Sequence, residues 1–203
     1  MKAAKYFSDI LIDKNLLNDI QTIKCDFYGS LGLTGKGHGS DKAFLLGIQG
    51  YSPVNIDSDE IQNYLDQVAN DKAIYINKKK INFNIKKDLK FQRRVSLPEH
   101  PNAMAFGAFD KDGNELLRKT YYSIGGGFIL DEIAIKDSKK LFSNNIAVSF
   151  PFKSAKELLY ICKVKKINIS EIMYKNEHSY FTTEEIHHNL NAILDTMLKC
   201  IQR

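Results

Sequence analysis

The sequence predicts an α+β fold with a mixed, mainly antiparallel sheet and flanking helices. Three observations carry this reading. Strand-like patterns crowd the middle of the chain while helical patterns crowd its ends. Strands and helices do not alternate regularly, as a parallel α/β sheet would require. The middle strands are separated by short turn signals, the mark of hairpins. At 203 residues the chain is long enough for one sizeable domain, and 1–203 reads as a single one.

The elements follow in order. Residues 2–17 carry Ala3, Tyr6, Phe7, Ile10, Leu11 and Leu17 at helical spacing, and Asn18-Asp19 ends the pattern. Residues 22–28 (TIKCDFY) alternate as a strand, and 42–48 (KAFLLGI) read as an apolar helix. Between them lies a glycine-rich loop. After the turn at 50–53, Asp57 or Ser58 caps a helix through Val68, with Ile61, Tyr64, Leu65 and Val68 on one face. Residues 73–76 and 81–85 form a hairpin around 77–80. Residues 103–109 and 115–123 form a second one around Lys111-Asp112-Gly113-Asn114. Gly125-Gly126-Gly127 interrupts the strand pattern, which resumes at 128–131, so a bulge or a close backbone approach is expected there. Ser154 caps a helix over 155–165, and 170–177 is a shorter helix. The last helix runs to Gln202, capped by Thr182 or Thr183, with Glu185 in capping-box position relative to Thr182.

Composition sets the class. Hydrophobic residues are 43% and charged residues 26%, ordinary for a soluble globular protein. No apolar run reaches bilayer-spanning length, and Asp9 and Asp13 break any signal-peptide pattern, so a cytoplasmic protein with no membrane partner is expected. The net charge is +5, and the basic residues are densest over 78–94 (KKKINFNIKKDLKFQRR). That region is mostly Lys, whereas nucleic-acid interfaces favour the Arg fork. A solvated loop and hairpin is expected, not a nucleic-acid surface. Cys25, Cys162 and Cys200 show no CxxC spacing. They read as free thiols, and no metal site is expected from this chain.

The most informative stretch is 28–41, YGSLGLTGKGHGSD, with five glycines in fourteen residues and Lys36 and His38 between the last three. Glycine lets a backbone approach a ligand closely. A helix start gathers unpaired N–H groups that favour anions such as a carboxylate. Lys36 and the amides of Gly35, Gly37, Gly39 and Ser40 are therefore candidates to hold a carboxylate. A tight strand-to-helix turn with a surface His is the competing reading. Asp41 caps the next helix or orients Lys36 or His38. The spacing does not fit a phosphate loop. His178, His187 and His188 read as solvent-exposed.

This stretch is similar to the YGSLxLTGKGHxTD segment of bacterial iron–sulfur L-serine dehydratases, also called L-serine ammonia-lyases. Further segments follow in order. Residues 97–106 (LPEHPNAMAF) resemble LPxHxNGMxF, 120–129 (TYYSIGGGFI) resemble YYSIGGGFI, and 150–155 (FPFKSA) resemble PYPFKSA. Lys175-Asn176-Glu177 falls at the family's QNE, and 196–203 resemble the end of its N-terminal domain. Ala103 stands where that family has Gly, so strain is expected there if the position needs φ > 0.

The resemblance implies the β domain of such an enzyme, akin to the allosteric substrate-binding domain of some 3-phosphoglycerate dehydrogenases. It implies conversion of L-serine to pyruvate and ammonia. Other parts of the family protein hold a Ser-rich GPSSSHTVGP segment and the cysteines of a [4Fe–4S] cluster. This chain is then a clipped β domain that does not itself bind the cluster. It needs a cluster-binding α domain or subunit for activity, within a homo-oligomeric complete enzyme. His38 matches the family's base, and an imidazole suits proton abstraction near neutrality. Tyr122, Ser123, Gly125 and Gly126 form a second candidate wall of the substrate pocket. Two other readings stay open: a small-carboxylate binding or regulatory module, and an inactive remnant.

Overall fold

Residues 22–28 alternate buried and less buried side chains, with Ile23, Cys25 and Phe27 turned inward. This strand, β1 (Thr22–Tyr28), is the axis of the fold. The computed structural model describes residues 1–136 and 147–202. They fall into two compact units, Met1–Leu141 and Phe142–Arg203, where the sequence reads as one domain.

The first unit opens with α1 (Lys2–Asp13), followed by a 3-10 turn (Leu16–Asn18). After β1 come α2 (Gly29–Thr34), α3 (Ser40–Ile48) and α4 (Ile61–Asp71). Then follow β2 (Ala73–Ile76), β3 (Lys79–Asn82), α5 (Ile85–Asp88) and β4 (Leu89–Gln92). The last strands are β5 (Asn102–Phe109), β6 (Glu115–Gly125) and β7 (Phe128–Asp131).

The sheet order is β2-β3-β1-β5-β6-β7, with β4 also beside β1. β3 and β4 run parallel to β1, and every other described pairing is antiparallel, as expected. β3 meets β1 only at Thr22↔Asn82, and β4 takes over at Cys25↔Leu89. The chain steps out between them through α5. Asn84 caps that turn by accepting from the amides of Lys86 and Lys87, and Asp88 accepts from the Asn84 amide at 2.7 Å. This capping pair relieves the backbone groups that a broken strand would leave unsatisfied.

One sheet face is covered by α1 and α3. Phe106 on β5 is the hub, with ring centroids 5.7 Å from Phe7, 5.1 Å from Phe44 and 5.7 Å from Tyr121. Full burial of side chains of this size supplies most of the stability of such a core.

Two expectations are corrected. Residues 29–34 form a helix where a loop was expected; Gly32 lies there so that the helix backbone can approach the Gln92 and Phe27 carbonyls. The β2–β3 turn is shorter than 77–80. Asn77 and Lys78 both take positive φ in a two-residue turn whose twist matches that of the strands. The register shift expected at the three glycines is present between Ser123 and Gly125, and Gly125, Gly126 and Gly127 all have positive φ where the chain reverses between β6 and β7. Ala103, for which strain was expected if the position needed φ > 0, is buried in β5 and is not among the positive-φ residues.

The second unit is helical: α6 (Ala155–Lys165), α7 (Ile169–Glu177) and α8 (Thr183–Gln202). Ser154 caps α6 through the Glu157 amide. Asn168 and Glu171 form a capping box on α7. The expected box on α8 is present. Thr182 N–H donates to Glu185 at 2.8 Å, and Glu185 N–H donates to the Thr182 hydroxyl at 3.3 Å. No described helix is long and apolar enough to cross a membrane.

Candidate functional site

The candidate site begins where β1 ends. Gly29 takes φ +54 and forms a bridge with Asn102. Its amide donates to Val95 O at 2.7 Å, and the Ser30 amide donates to Pro101 O at 2.8 Å. A Cβ on Gly29 would run into the Pro101 carbonyl. The loop 93–101 is thereby stitched to the start of α2.

The turn that carries His38 follows α2. It is held by its own backbone: Gly35 N–H donates to Leu31 O, His38 N–H to Thr34 O and Gly35 O, Gly39 N–H to Lys36 O, and Ser40 N–H to Gly35 O. The amides of Gly35, His38, Gly39 and Ser40 are thus engaged inside the turn. Those of Lys36 and Gly37 donate to no acceptor among the described residues. Gly39, at φ +70, is the N-cap of α3. Asp41 is not the cap residue; it lies in the first turn of α3, and its carboxylate accepts from the Lys42 amide at 2.9 Å. An acidic residue there complements the positive end of the helix.

Lys36, Gly37 and His38 are exposed, while Ser40 and Asp41 are half-buried. Among the described residues no ion pair joins Asp41 to Lys36 or His38, and the imidazole of His38 has no hydrogen bond. Gly37 is distinct within the segment. Its φ is not positive, and a Cβ there would meet only Thr34 O at an ordinary 3.5 Å. Neither backbone conformation nor packing calls for glycine at that position.

The second wall is the end of β6. Sheet register aligns Tyr28, Ala103 and Tyr122 across three adjacent strands. The buried Tyr122 donates its phenolic hydrogen to the Glu99 carboxylate at 3.1 Å. Burial, and then that bond, push the phenol up to about 12. Ser123 is half-buried, and Gly125 and Gly126 are exposed on the hairpin. The Nδ1 of His100 accepts from the Asn102 amide at 3.1 Å, which leaves Nε2 as the nitrogen free for other partners.

The structure therefore brings Gly29–Ser30, the 93–101 loop and Tyr122–Ser123 to one end of the sheet. The turn 35–41 lies one short helix beyond. No hydrogen bond or ion pair joins it to 122–126 among the described residues. Glu99 was not singled out from sequence. It lies inside the quoted LPEHPN segment, but its partner is 23 residues away and depends on strand register.

The cysteines do not fit an iron–sulfur cluster, which needs three or four thiolates at one point. Cys25 is buried in β1, where burial pushes its thiol well up; Cys162 is on α6 and Cys200 on α8. No group of three or more metal-ligating residues occurs among the described residues. His178, His187 and His188 are exposed as expected, and Tyr174 contacts the first two.

Comparison with known proteins adds the following. A family model described as "Serine dehydratase beta chain" matches residues 1–134. The chain is 35% identical over 204 residues to the L-serine dehydratase of Streptomyces coelicolor, covering all of this chain and 45% of that protein. It is 37% identical to the L-serine dehydratase of Haemophilus influenzae, covering 44% of it. It is 36% identical to L-serine dehydratase 1 of Escherichia coli, again covering 44%. The chain spans a little under half the length of these curated relatives.

Proposed function

The chain belongs to the serine dehydratase beta-chain family, and from that premise we propose that it contributes the proton-abstracting base and part of the substrate pocket to an L-serine ammonia-lyase. The observation that carries this reading is the turn 35–39. It presents an exposed imidazole with no hydrogen bond among the described residues, beside two backbone amides that donate to no acceptor among them.

The chemistry follows from these groups. The serine carboxylate accepts from the amides of Lys36 and Gly37, with the Lys36 ammonium adding charge. Ser40 and Asp41 border this cradle at the start of α3. The neutral imidazole of His38 takes the Cα proton. The electron pair released forms the Cα–Cβ double bond as the Cβ–O bond breaks and hydroxide leaves. The aminoacrylate becomes an imine, and water converts it to pyruvate and ammonia. Tyr122 and Ser123, with Gly125 and Gly126, form the other wall of the pocket. The [4Fe–4S] cluster does not fit the cysteines of this chain. We assign it to the part of the relatives that this chain does not match.

The test is anaerobic reconstitution. The chain is mixed with the separately expressed, cluster-loaded remainder of the Haemophilus relative, L-serine is added, and pyruvate is followed. Pyruvate should require both chains. His38→Ala should lower its rate by about 10²–10⁴-fold with the circular dichroism unchanged. An equal rate in the variant would remove His38 from the reaction.

A further inference from the structure

The described residues of the second unit do not build the core of a finished domain. Among its described residues only Ile172 and Ile186 are buried apolar side chains. Units of this size are marginal even with a complete core. The missing burial is concentrated on α8. Ile186, Leu190, Ile193, Leu194, Met197, Leu198 and Ile201 fall within a stripe roughly 140° wide at 100° per residue, the width of a core-facing helix. From Leu190 onward these side chains are 46% to 79% exposed. The stripe runs into an open groove of about 1110 Å³ between α7 and α8, lined by Met173, Tyr174, Phe181, Leu190 and Ile193 among others. Exposed apolar surface on this scale marks an interface.

Two comparisons identify the occupant. The beta-chain family model stops at residue 134, before this unit begins. The relatives nevertheless align with the whole chain, α8 included, and more than half of each relative lies outside the match. Residues 147–202 are therefore shared with the full-length relatives without belonging to the beta-chain pattern. We propose that α6–α8 are the near layer of a helical domain completed by the part of the relatives that this chain does not match, and that this part seats an apolar helix face in the α7–α8 groove and along the α8 stripe. The proposal rests on the functional reading above only in taking that part as the partner in activity.

The experiment uses the full 203-residue chain, with docking read separately from turnover. In dilute solution alone, the amides of 190–201 should exchange rapidly. Adding the unmatched part of the Haemophilus relative should give a one-to-one complex by sedimentation and slow that exchange at least tenfold. Leu194→Asp with Met197→Asp should weaken the complex at least tenfold without changing the circular dichroism of the chain. In the intact Haemophilus relative, the segment aligned with 190–201 should be protected, which tests the proposal even if its separated part does not fold. Three results would overturn it. They are slow exchange in the chain alone at low concentration, protection that follows a concentration-dependent self-association, and rapid exchange of the aligned segment in the intact relative. A complex that forms but yields no pyruvate would sink the catalytic reading and leave the docking surface standing.

Discussion

The side-chain amide of Asn176 clasps the backbone of Phe150 from both sides. Its Oδ1 accepts from the Phe150 N–H at 2.8 Å, and its Nδ2 donates to the Phe150 carbonyl at 2.9 Å. Asn176 is buried, and the two residues belong to the separate segments FPFKSA and KNE. Only a carboxamide offers a donor and an acceptor in this geometry. Asn176→Ala strands both backbone groups, and each lost partner costs about 1–3 kcal/mol when buried. The expected result is faster amide exchange at Phe150 and a lower melting temperature. Asn176→Asp keeps the acceptor and loses the donor at neutral pH, so it should fall between the two. Equal exchange in all three proteins would show that the clasp does not hold this segment.

Phe106 touches rings from two helices and a neighbouring strand. Truncation leaves a cavity that α1 and α3 cannot both close upon. Phe106→Ala should cost about 3–5 kcal/mol. The urea midpoint should fall with an unchanged slope. A loss under about 1 kcal/mol would mean that the α1–β5–α3 contact is not the stabilising centre of the first unit.

Where local chemistry decides, the sequence was readable. Alternation in TIKCDFY gave β1 to the residue, and Thr182 with Glu185 marked the start of α8 through two reciprocal bonds. Residues 29–34 were opaque because helix propensity argues against three glycines within 29–35. Tertiary packing overrides it there: Gly29 and Gly32 let α2 lie against the Pro101 and Gln92 carbonyls. Gly29 and Gly32 thus admit neighbouring backbone, while Gly37 is called for neither by a positive φ nor by a close contact. At the site, His38 and Lys36 could be named from composition. Which amides of the turn stay open depends on its hydrogen bonds, and Glu99 meets Tyr122 only through the β5–β6 register. Neither has a local sequence signal.

Burial of Tyr122, and then its bond to Glu99, set an alkaline limit. Below pH 10 the phenol is neutral whether the chain is folded or not, and its contribution to stability is full. Between pH 10 and about 12 the unfolded phenol ionises while the folded one keeps its proton. The native state then binds more protons, so stability falls as pH rises through that window. A fully shifted group contributes at most about 1.4 kcal/mol per pH unit. Tyr122→Phe should flatten the decline of the urea midpoint between pH 10 and 12. Glu99→Gln removes the adjacent charge and should make the phenol ionise earlier, seen as tyrosinate absorbance at lower pH. Identical profiles for wild type and both variants would show that this bond does not govern the alkaline transition.

Gly29 and Gly37 separate folding from ligand approach within one segment. Alanine at Gly29 meets a positive φ and the Pro101 carbonyl together. A left-handed conformation alone costs an L-residue about 1–2 kcal/mol, so Gly29→Ala should destabilise by at least that much. Alanine at Gly37 meets neither obstacle, and its stability should stay within about 0.5 kcal/mol of wild type. The added methyl nonetheless stands beside the open amides of Lys36 and Gly37. If the serine carboxylate lies against those amides, pyruvate formation in the reconstituted system should fall at least tenfold in Gly37→Ala, chiefly through a raised KM. Full activity in that variant would move the carboxylate elsewhere. Lost activity accompanied by lost stability would instead mean that packing, and not the ligand, requires glycine at position 37.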